Sequence, residues 1–145
     1  MRLRDIMTRE IETIRPDASL QQAAQKMMVL DIGMLPVTEG DQLIGAITDR
    51  DITVRATAQG LVADKTPVRA AMTPVVVCGF EDQDIKEGTR LMMDNRVRRL
   101  PIMNRSKQLV GVVSLADVAT GVDDEVLTAH TLQRISEPTP VQAQV

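Results

Sequence analysis

The 145-residue chain has almost no aromatic side chains: one Phe, Phe80, and neither Trp nor Tyr. It therefore lacks the stacking platforms on which single-strand nucleic-acid binders hold successive bases. Its core has to be built from Val, Ile, Leu, Ala and the nine Met. There is one cysteine, Cys78, and one histidine, His130. A lone thiol excludes an internal disulfide and suits a reducing cytoplasm. One Cys with one His also falls short of a structural zinc site within a chain, so no metal is assigned. Positive charge is not in excess, and a net charge of -3 argues against bulk electrostatic binding of nucleic acid. No apolar run approaches the roughly 20 residues of a membrane span. Residues 1–30 carry no apolar segment followed by a cleavage site. The expectation is a cytoplasmic protein with neither membrane nor nucleic acid as partner. Gly-x-Ser-x-Gly, a phosphate-binding loop and Gly-x-Gly-x-x-Gly are all missing. Nothing orients Cys78 and His130, 52 positions apart, as nucleophile and base. No catalytic residue is assigned and no enzyme is expected.

What the chain does contain is a repeat. Ile6-Met7-Thr8 returns as Ala71-Met72-Thr73, Met27-Met28 as Met92-Met93, and Leu35-Pro36-Val37 as Leu100-Pro101-Ile102. Leu43-Ile44-Gly45-Ala46-Ile47-Thr48 returns as Leu109-Val110-Gly111-Val112-Val113-Ser114, and Asp51 as Asp117. The offset is 65 as far as Gln42/Lys107 and 66 from Leu43/Leu109, so one residue is inserted in a turn. A shared register over this length means two copies of one fold unit. Each copy alone, at about 60 residues, would be marginal, whereas the pair can share a core.

Within the first copy, Ser19 and Gln22 form a capping-box pattern ahead of a stripe of Leu20, Ala23, Ala24, Met27 and Met28. This predicts a helix from about Ser19 to Asp31 that stops at Gly33. Residues 34–38 and 42–48 read as strands around a turn, followed by a helix carrying Ile52, Val54, Ala56 and Ala58. In the second copy, Asp82 or Asp84 caps a helix carrying Ile85, Leu91, Met92 and Met93, with strands near 100–103 and 109–114 and a short helix to Gly121. Each copy is thus β-α-β-β-α. Pro36 and Pro101 inside strands point to a sheet rim. Thr66 and Pro67 read as the cap and first residue of a short helical lead into Met72. A last helix over 123–135 would turn Val126, Leu127, His130 and Leu132 or Ile135 inward. The expected layout is repeat 1 over 1–60, a linker at 61–67, repeat 2 over 68–122, and a terminal helix with a loose Pro- and Gln-rich tail over 123–145.

Two units beginning Asp5-Ile6-Met7-Thr8, centred on Leu35-Pro36-Val37 and ending Gly45-Ala46-Ile47-Thr48-Asp49-Arg50-Asp51-Ile52 resemble a tandem pair of CBS domains, the regulatory module named from cystathionine β-synthase. The resemblance covers about residues 3–121. It implies an α/β (α+β) fold of two pseudo-symmetric β-α-β-β-α CBS repeats packed through their sheets. It also implies two clefts that take adenosine compounds such as AMP, ADP, ATP, NAD or S-adenosylmethionine, and a homodimer.

Thr48-x-x-Asp51, with its copy Ser114-x-x-Asp117, has two readings. A carboxylate can accept from both hydroxyls of a ribose, as this Asp does in the resembled family. The same spacing is a helix capping box, and both can hold together. Arg96-x-Arg98-Arg99 crowds three guanidiniums whose forks suit phosphate, or else forms an exposed basic face balanced by acids. The first copy has Asp31, Gly33 and Met34 there, so the halves are chemically unequal. The resemblance implies that Thr48 and Asp51 share a cleft with Arg98 and Arg99, with Arg50 as a further phosphate contact. Ser114 and Asp117 would then face Gly33 and Met34. It also places the adenine ring near Ile11, Ile14, Val76 and Val77, any of which can equally be strand core. The Met pairs read as core or dimer-interface filler, Cys78 as a buried structural thiol, and Asp5, Asp17, Asp82 and Asp84 as caps and turns. The expected function is a regulatory adenine-nucleotide sensor acting through an unknown effector protein. The alternative is a nucleotide-independent dimeric scaffold.

Overall fold

The computed structural model describes residues 1–74 and 77–138. Ser19 opens helix α1 (Leu20–Leu30) through the box its sequence announces: its side chain accepts the Gln22 N–H at 3.1 Å and the Gln22 side chain takes the Ser19 N–H at 2.9 Å. Two donors that a helix start leaves free are thereby satisfied. Of the predicted stripe only Leu20, Ala23 and Met27 are buried, while Ala24 and Met28 face outward. A helix packed against one narrow hairpin needs one row of contacts, not the full stripe. The helix ends earlier than Gly33. Asp31 turns left-handed at φ 54°, and Ile32 N–H returns to Met27 C=O at 3.1 Å in a Schellman close. Helix α3 (Ile85–Asn95), capped by Asp84, ends the same way, with Arg96 at φ 51° and Val97 N–H on Met92 C=O at 3.0 Å.

The fold is α+β with small sheets. Strands β1 (Met34–Glu39) and β2 (Gln42–Thr48) form an antiparallel hairpin that turns at Gly40, φ 62°. In the second repeat β3 (Gly79–Phe80) runs parallel to β4 (Arg99–Met103), which pairs antiparallel with β5 (Leu109–Ser114). The leading strand of the second repeat is therefore two residues long, and its first-repeat equivalent is a single bridge from Ile14 to Val37. Pro101 is not at a rim, since β4 is the central strand of its sheet, whereas Pro36 lies in β1, an outer strand of a two-stranded sheet. Each proline sits opposite a residue, Ala46 or Val112, whose backbone N–H and C=O bond elsewhere, to Thr73 and Thr8 respectively. The missing proline N–H thus leaves no ladder bond unmade.

Those outside bonds define the architecture. Thr73 and Ala46 exchange two backbone hydrogen bonds at 2.8 Å each; Thr8 and Val112 exchange two at 2.9 and 3.0 Å. The opening segment of the first repeat thus completes the second hairpin, and the opening segment of the second repeat completes the first. By contact the chain forms two compact units, Glu12–Val76 and Met1–Ile11 with the chain from Val77 onward. Each has its own core. Ile14, Leu20, Leu35, Val37, Ile47 and Val68 fill the first, and Leu3, Ile85, Met92, Leu100, Ile102 and Val118 the second.

After Thr48 the chain enters helix α2, which opens at Asp49–Asp51, continues π-helical over Ile52–Ala56 and closes as a 3-10 turn at Thr57–Gln59. Val54, expected on its inner face, is exposed. The lead into Met72 is a 3-10 turn at Val68–Ala70 with Pro67, not Thr66, as its cap residue. Helix α4 (Leu115–Gly121) is followed by α5 (Glu125–Ser136), capped by Asp124. The buried residues of α5 are Thr131 and Ile135, with Leu127 half-buried on the same row. Val126, His130 and Leu132 are exposed, because the row at four-residue spacing faces the core and they lie off it. Asp82 is more than a turn residue: its carboxylate meets Arg105 at 2.9 Å, and that guanidinium lies 4.3 Å from the centre of the Phe80 ring. The Arg105 hydrogen bond holds the Asp82 carboxyl below its usual pKa. Among the described residues no helix is long and apolar enough to cross a membrane.

The exchanged segments explain two glycines. A Cβ on Gly45 would lie 2.8 Å from the Thr73 carbonyl oxygen, and one on Gly111 would lie 2.9 Å from that of Thr8. Gly45→Ala and Gly111→Ala are each expected to lower stability by about 1–3 kcal/mol, the range for overpacking. The denaturant midpoint measures this, and an unchanged midpoint would contradict so close a backbone approach.

Candidate ligand-binding site

The side chains that carry the predicted chemistry stand where β2 passes into α2 and where β5 passes into α4. Thr48 Oγ1 accepts the Asp51 N–H at 3.0 Å, and Asp51 Oδ2 accepts the Thr48 N–H at 3.1 Å. In the second repeat Ser114 and Asp117 repeat both bonds at 3.1 and 2.8 Å. The capping-box reading therefore holds at both places. It does not use up the carboxylates, since each can accept about four hydrogen bonds.

Asp51 is 9% exposed and has two further neighbours. The Thr73 hydroxyl donates to its carboxylate at 3.4 Å from either oxygen, and Arg55 Nε stands 3.7 Å from Oδ1. Arg55 is held from behind, where Nη1 donates to the Met72 carbonyl at 3.2 Å. Asp117 is half-buried and receives, among the described residues, only the Ser114 N–H. Neither Thr73 nor Arg55 is singled out as a site residue by the sequence reading. For Thr73 the signal is the repeated Met-Thr pair; for Arg55 it is that position 121, its copy, is Gly.

The arginines lie differently. Arg98 and Arg99 are exposed, and among the described residues neither is in an ion pair. Arg99 pairs in register with Ser114, and the Arg98 carbonyl accepts the Leu115 N–H at 2.9 Å, so both stand at the start of α4 within their own unit. Arg96 is half-buried, with its Nε enclosed and without a protein partner. Arg50 is exposed at the start of α2. Ile14 is buried in the core, its N–H bonded to the Pro36 carbonyl and its C=O to the Thr38 N–H. Val77 is half-buried against the second core, Ile11 is half-buried, and Val76 lies outside the described residues.

Of the Met pairs, Met27 and Met92 are buried, Met93 is half-buried, and Met28 is 75% exposed. Cys78 is partly exposed, and burial pushes its thiol pKa up, which favours the unreactive protonated form. Among the described residues no three His, Cys, Asp or Glu are grouped to hold a metal ion. A surface groove of about 760 Å³ runs along α1, lined by Glu12, Arg15, Gln22, Lys26, Val29 and their neighbours. It contains Ile14 but none of the Thr, Ser, Asp or Arg residues predicted to bind ligand.

Because Thr48 and Ser114 are caps, Thr48→Ala and Ser114→Ala are each expected to cost about 1 kcal/mol, while Thr48→Ser retains most of the stability. Urea unfolding of the three variants measures the difference, and a Thr48→Ala midpoint equal to wild type would contradict the box.

A family model described as the CBS domain matches residues 3–56 and 68–124. The chain is 36% identical over 134 residues to the CBS domain-containing protein YhcV of Bacillus subtilis, covering 92% of this chain and 94% of that protein. It is similar to the crystal structure of Hypoxic Response Protein I with two coordinated zinc ions, at a TM-score of 0.77 and 32% identity, covering 84% of this chain and 99% of that one. The CBS domain protein PAE2072 from Pyrobaculum aerophilum, complexed with AMP, shares the fold at a TM-score of 0.77 and 18% identity, over 92% of this chain and 99% of its own. None of these matches indicates a catalytic domain. Two matched segments, two hairpins each closed by a capped helix, and a full-length relative place this chain in the CBS-domain family, as a tandem pair of CBS repeats.

Proposed function

We propose that the chain is a non-catalytic regulatory module that binds an adenosine compound of the AMP, ADP, ATP, NAD or S-adenosylmethionine class and passes the signal to an effector protein. The observation that carries this reading is the Asp51 carboxylate. It is 9% exposed, fixed by the Thr48 N–H and the Thr73 hydroxyl, and still has acceptor capacity for a diol. Thr48 and Asp51 are the primary ribose contacts, with Ser114 and Asp117 as their copy. Arg98 and Arg99, exposed and free of ion pairs among the described residues, supply phosphate contacts together with Arg50. The adenine environment is assigned to Ile11, Ile14, Val76 and Val77. Since the backbone groups of Ile14 are engaged, its contribution is an apolar wall. AMP is the first probe because a fold neighbour is complexed with it. Signalling requires the ligand to bind two conformations of the module unequally.

A second reading, a nucleotide-independent dimeric scaffold, is favoured by the exposed apolar end of α1, where Met28 and Val29 are 75% and 76% exposed. Thermal unfolding with AMP, ADP, ATP, NAD and S-adenosylmethionine separates the two. A true ligand at about 100 times its dissociation constant adds about 2.7 kcal/mol. Asp51→Ala is expected to abolish that shift and Arg99→Ala to reduce it for phosphorylated ligands. No shift with any of the five compounds would favour the scaffold, and equal AMP affinity of Arg99→Ala and wild type would remove Arg99 from the site. On either reading a homodimer is expected in sedimentation equilibrium, and Val29→Asp is expected to weaken it. A wild-type monomer at all concentrations would contradict the dimer.

A further inference from the structure

The two carboxylates of the repeated motif are supported differently, and the difference is built from two compensating residue pairs. In the first repeat Arg55 reaches from the π-helical stretch of α2 to within 3.7 Å of Asp51 Oδ1, while its Nη1 is anchored on the Met72 carbonyl at 3.2 Å. The backbone beside that anchor is Ala71, whose small side chain is 1% exposed. In the second repeat the copy of Arg55 is Gly121 and the copy of Ala71 is Ile6. A Cβ on Gly121 would lie 2.9 Å from Ile6 Cγ2, so that position has no room for a long side chain. Where the first repeat has a small residue and an arginine, the second has a large residue and no side chain at all. The helix type differs in parallel: α4 is regular α-helix, whereas residues 52–56 of α2 are π-helical, a rare geometry that recurs at functional sites.

The geometry points to Arg55 as a positioning residue for the Asp51 carboxylate. It holds one oxygen while the Thr48 N–H holds the other, so that the remaining lone pairs face a ligand diol in one orientation. Among the described residues Asp117 has no such second anchor, and its carboxylate is held by the Ser114 N–H alone. The inference rests on the proposed ribose role of Asp51. It adds that discrimination between a ribose and a deoxyribose resides in the first repeat and depends on Arg55.

The test is isothermal titration of wild type, Arg55→Ala, Arg55→Gln and Asp51→Ala with AMP and with 2′-deoxy-AMP, alongside thermal unfolding of each variant. Wild type is expected to prefer AMP. Both Arg55 variants are expected to lose up to about fivefold in AMP affinity, the upper range for a partly exposed ion pair, and to bring the two affinities within about twofold of each other. Arg55→Gln keeps the stem as far as the Nε position but lacks both the charge and the Nη group that anchors on the Met72 carbonyl, so it reports on loss of the anchored guanidinium even if Arg55→Ala unfolds. If the Arg55 variants weaken AMP and 2′-deoxy-AMP by the same factor, or weaken neither, Arg55 does not position the carboxylate and the inference is overturned, while an effect of Asp51→Ala would leave the ribose assignment standing. If wild type does not distinguish the two ligands and Asp51→Ala binds as wild type does, the ribose assignment falls and the role of Arg55 falls with it.

Discussion

The backbone hydrogen bonds between Thr73 and Ala46 and between Thr8 and Val112 attach a borrowed segment to each hairpin. Much of each unit follows from that contact. β2 and β5 gain a neighbour on their outer side at Ala46 and Val112, whose outward backbone groups are thereby paired. Gly45 and Gly111 lie where the borrowed backbone comes closest, and a side chain there would collide with a carbonyl oxygen. Pro36 and Pro101 sit opposite the two residues whose bonds point to the borrowed segment, which makes proline harmless inside a strand. Neither repeat is complete as a continuous stretch of chain, because each hairpin is finished by residues that belong, in sequence order, to the other repeat's lead-in.

The same borrowed segment brings chemistry to the candidate site. Thr73 follows Met72 on the strand-like stretch that crosses β2, which delivers its hydroxyl to Asp51, and Arg55 is anchored on the carbonyl one residue earlier. A carboxylate that caps its own helix and touches a neighbouring segment is tied to two parts of the chain at once. Any ligand that draws on its free lone pairs acts on both. The second repeat keeps the cap and the borrowed strand but has neither Arg55 nor, among the described residues, the hydroxyl contact. The halves therefore share a backbone plan and differ in the contacts made to the capping carboxylate.

Legibility from sequence was greatest where the determinants are local. The Ser19–Gln22 and Thr48–Asp51 boxes, the Asp84 cap, the hairpins and the repeat register all depend on residues within a few positions of one another, and all are present. Burial was read less well. Met28 and Met27 look alike in a periodic pattern, yet one is 75% exposed and the other 7%, because what α1 packs against is narrow. The inner row of α5 falls on Leu127, Thr131 and Ile135, and a threonine bonded to its own helix at Leu127 carries no hydrophobic signal. Helix α2 has an ordinary amphipathic sequence, and nothing local marks its π-helical middle.

By itself the sequence determined the doubling, the helix–hairpin–helix order in each repeat, the capped carboxylates and the inequality between Arg98-Arg99 and Gly33-Met34, since each of these is written in spacing and residue type. Only the tertiary structure decided which segment completes which hairpin, and with it that Thr73 and Arg55 attend Asp51 while Gly121 and Ile6 leave Asp117 without an equivalent. The physical reason is distance along the chain. Caps and turns are set by neighbours three or four residues away, whereas the partners of Asp51 include a hydroxyl 22 residues on, and such a pairing is fixed by packing that no local pattern records.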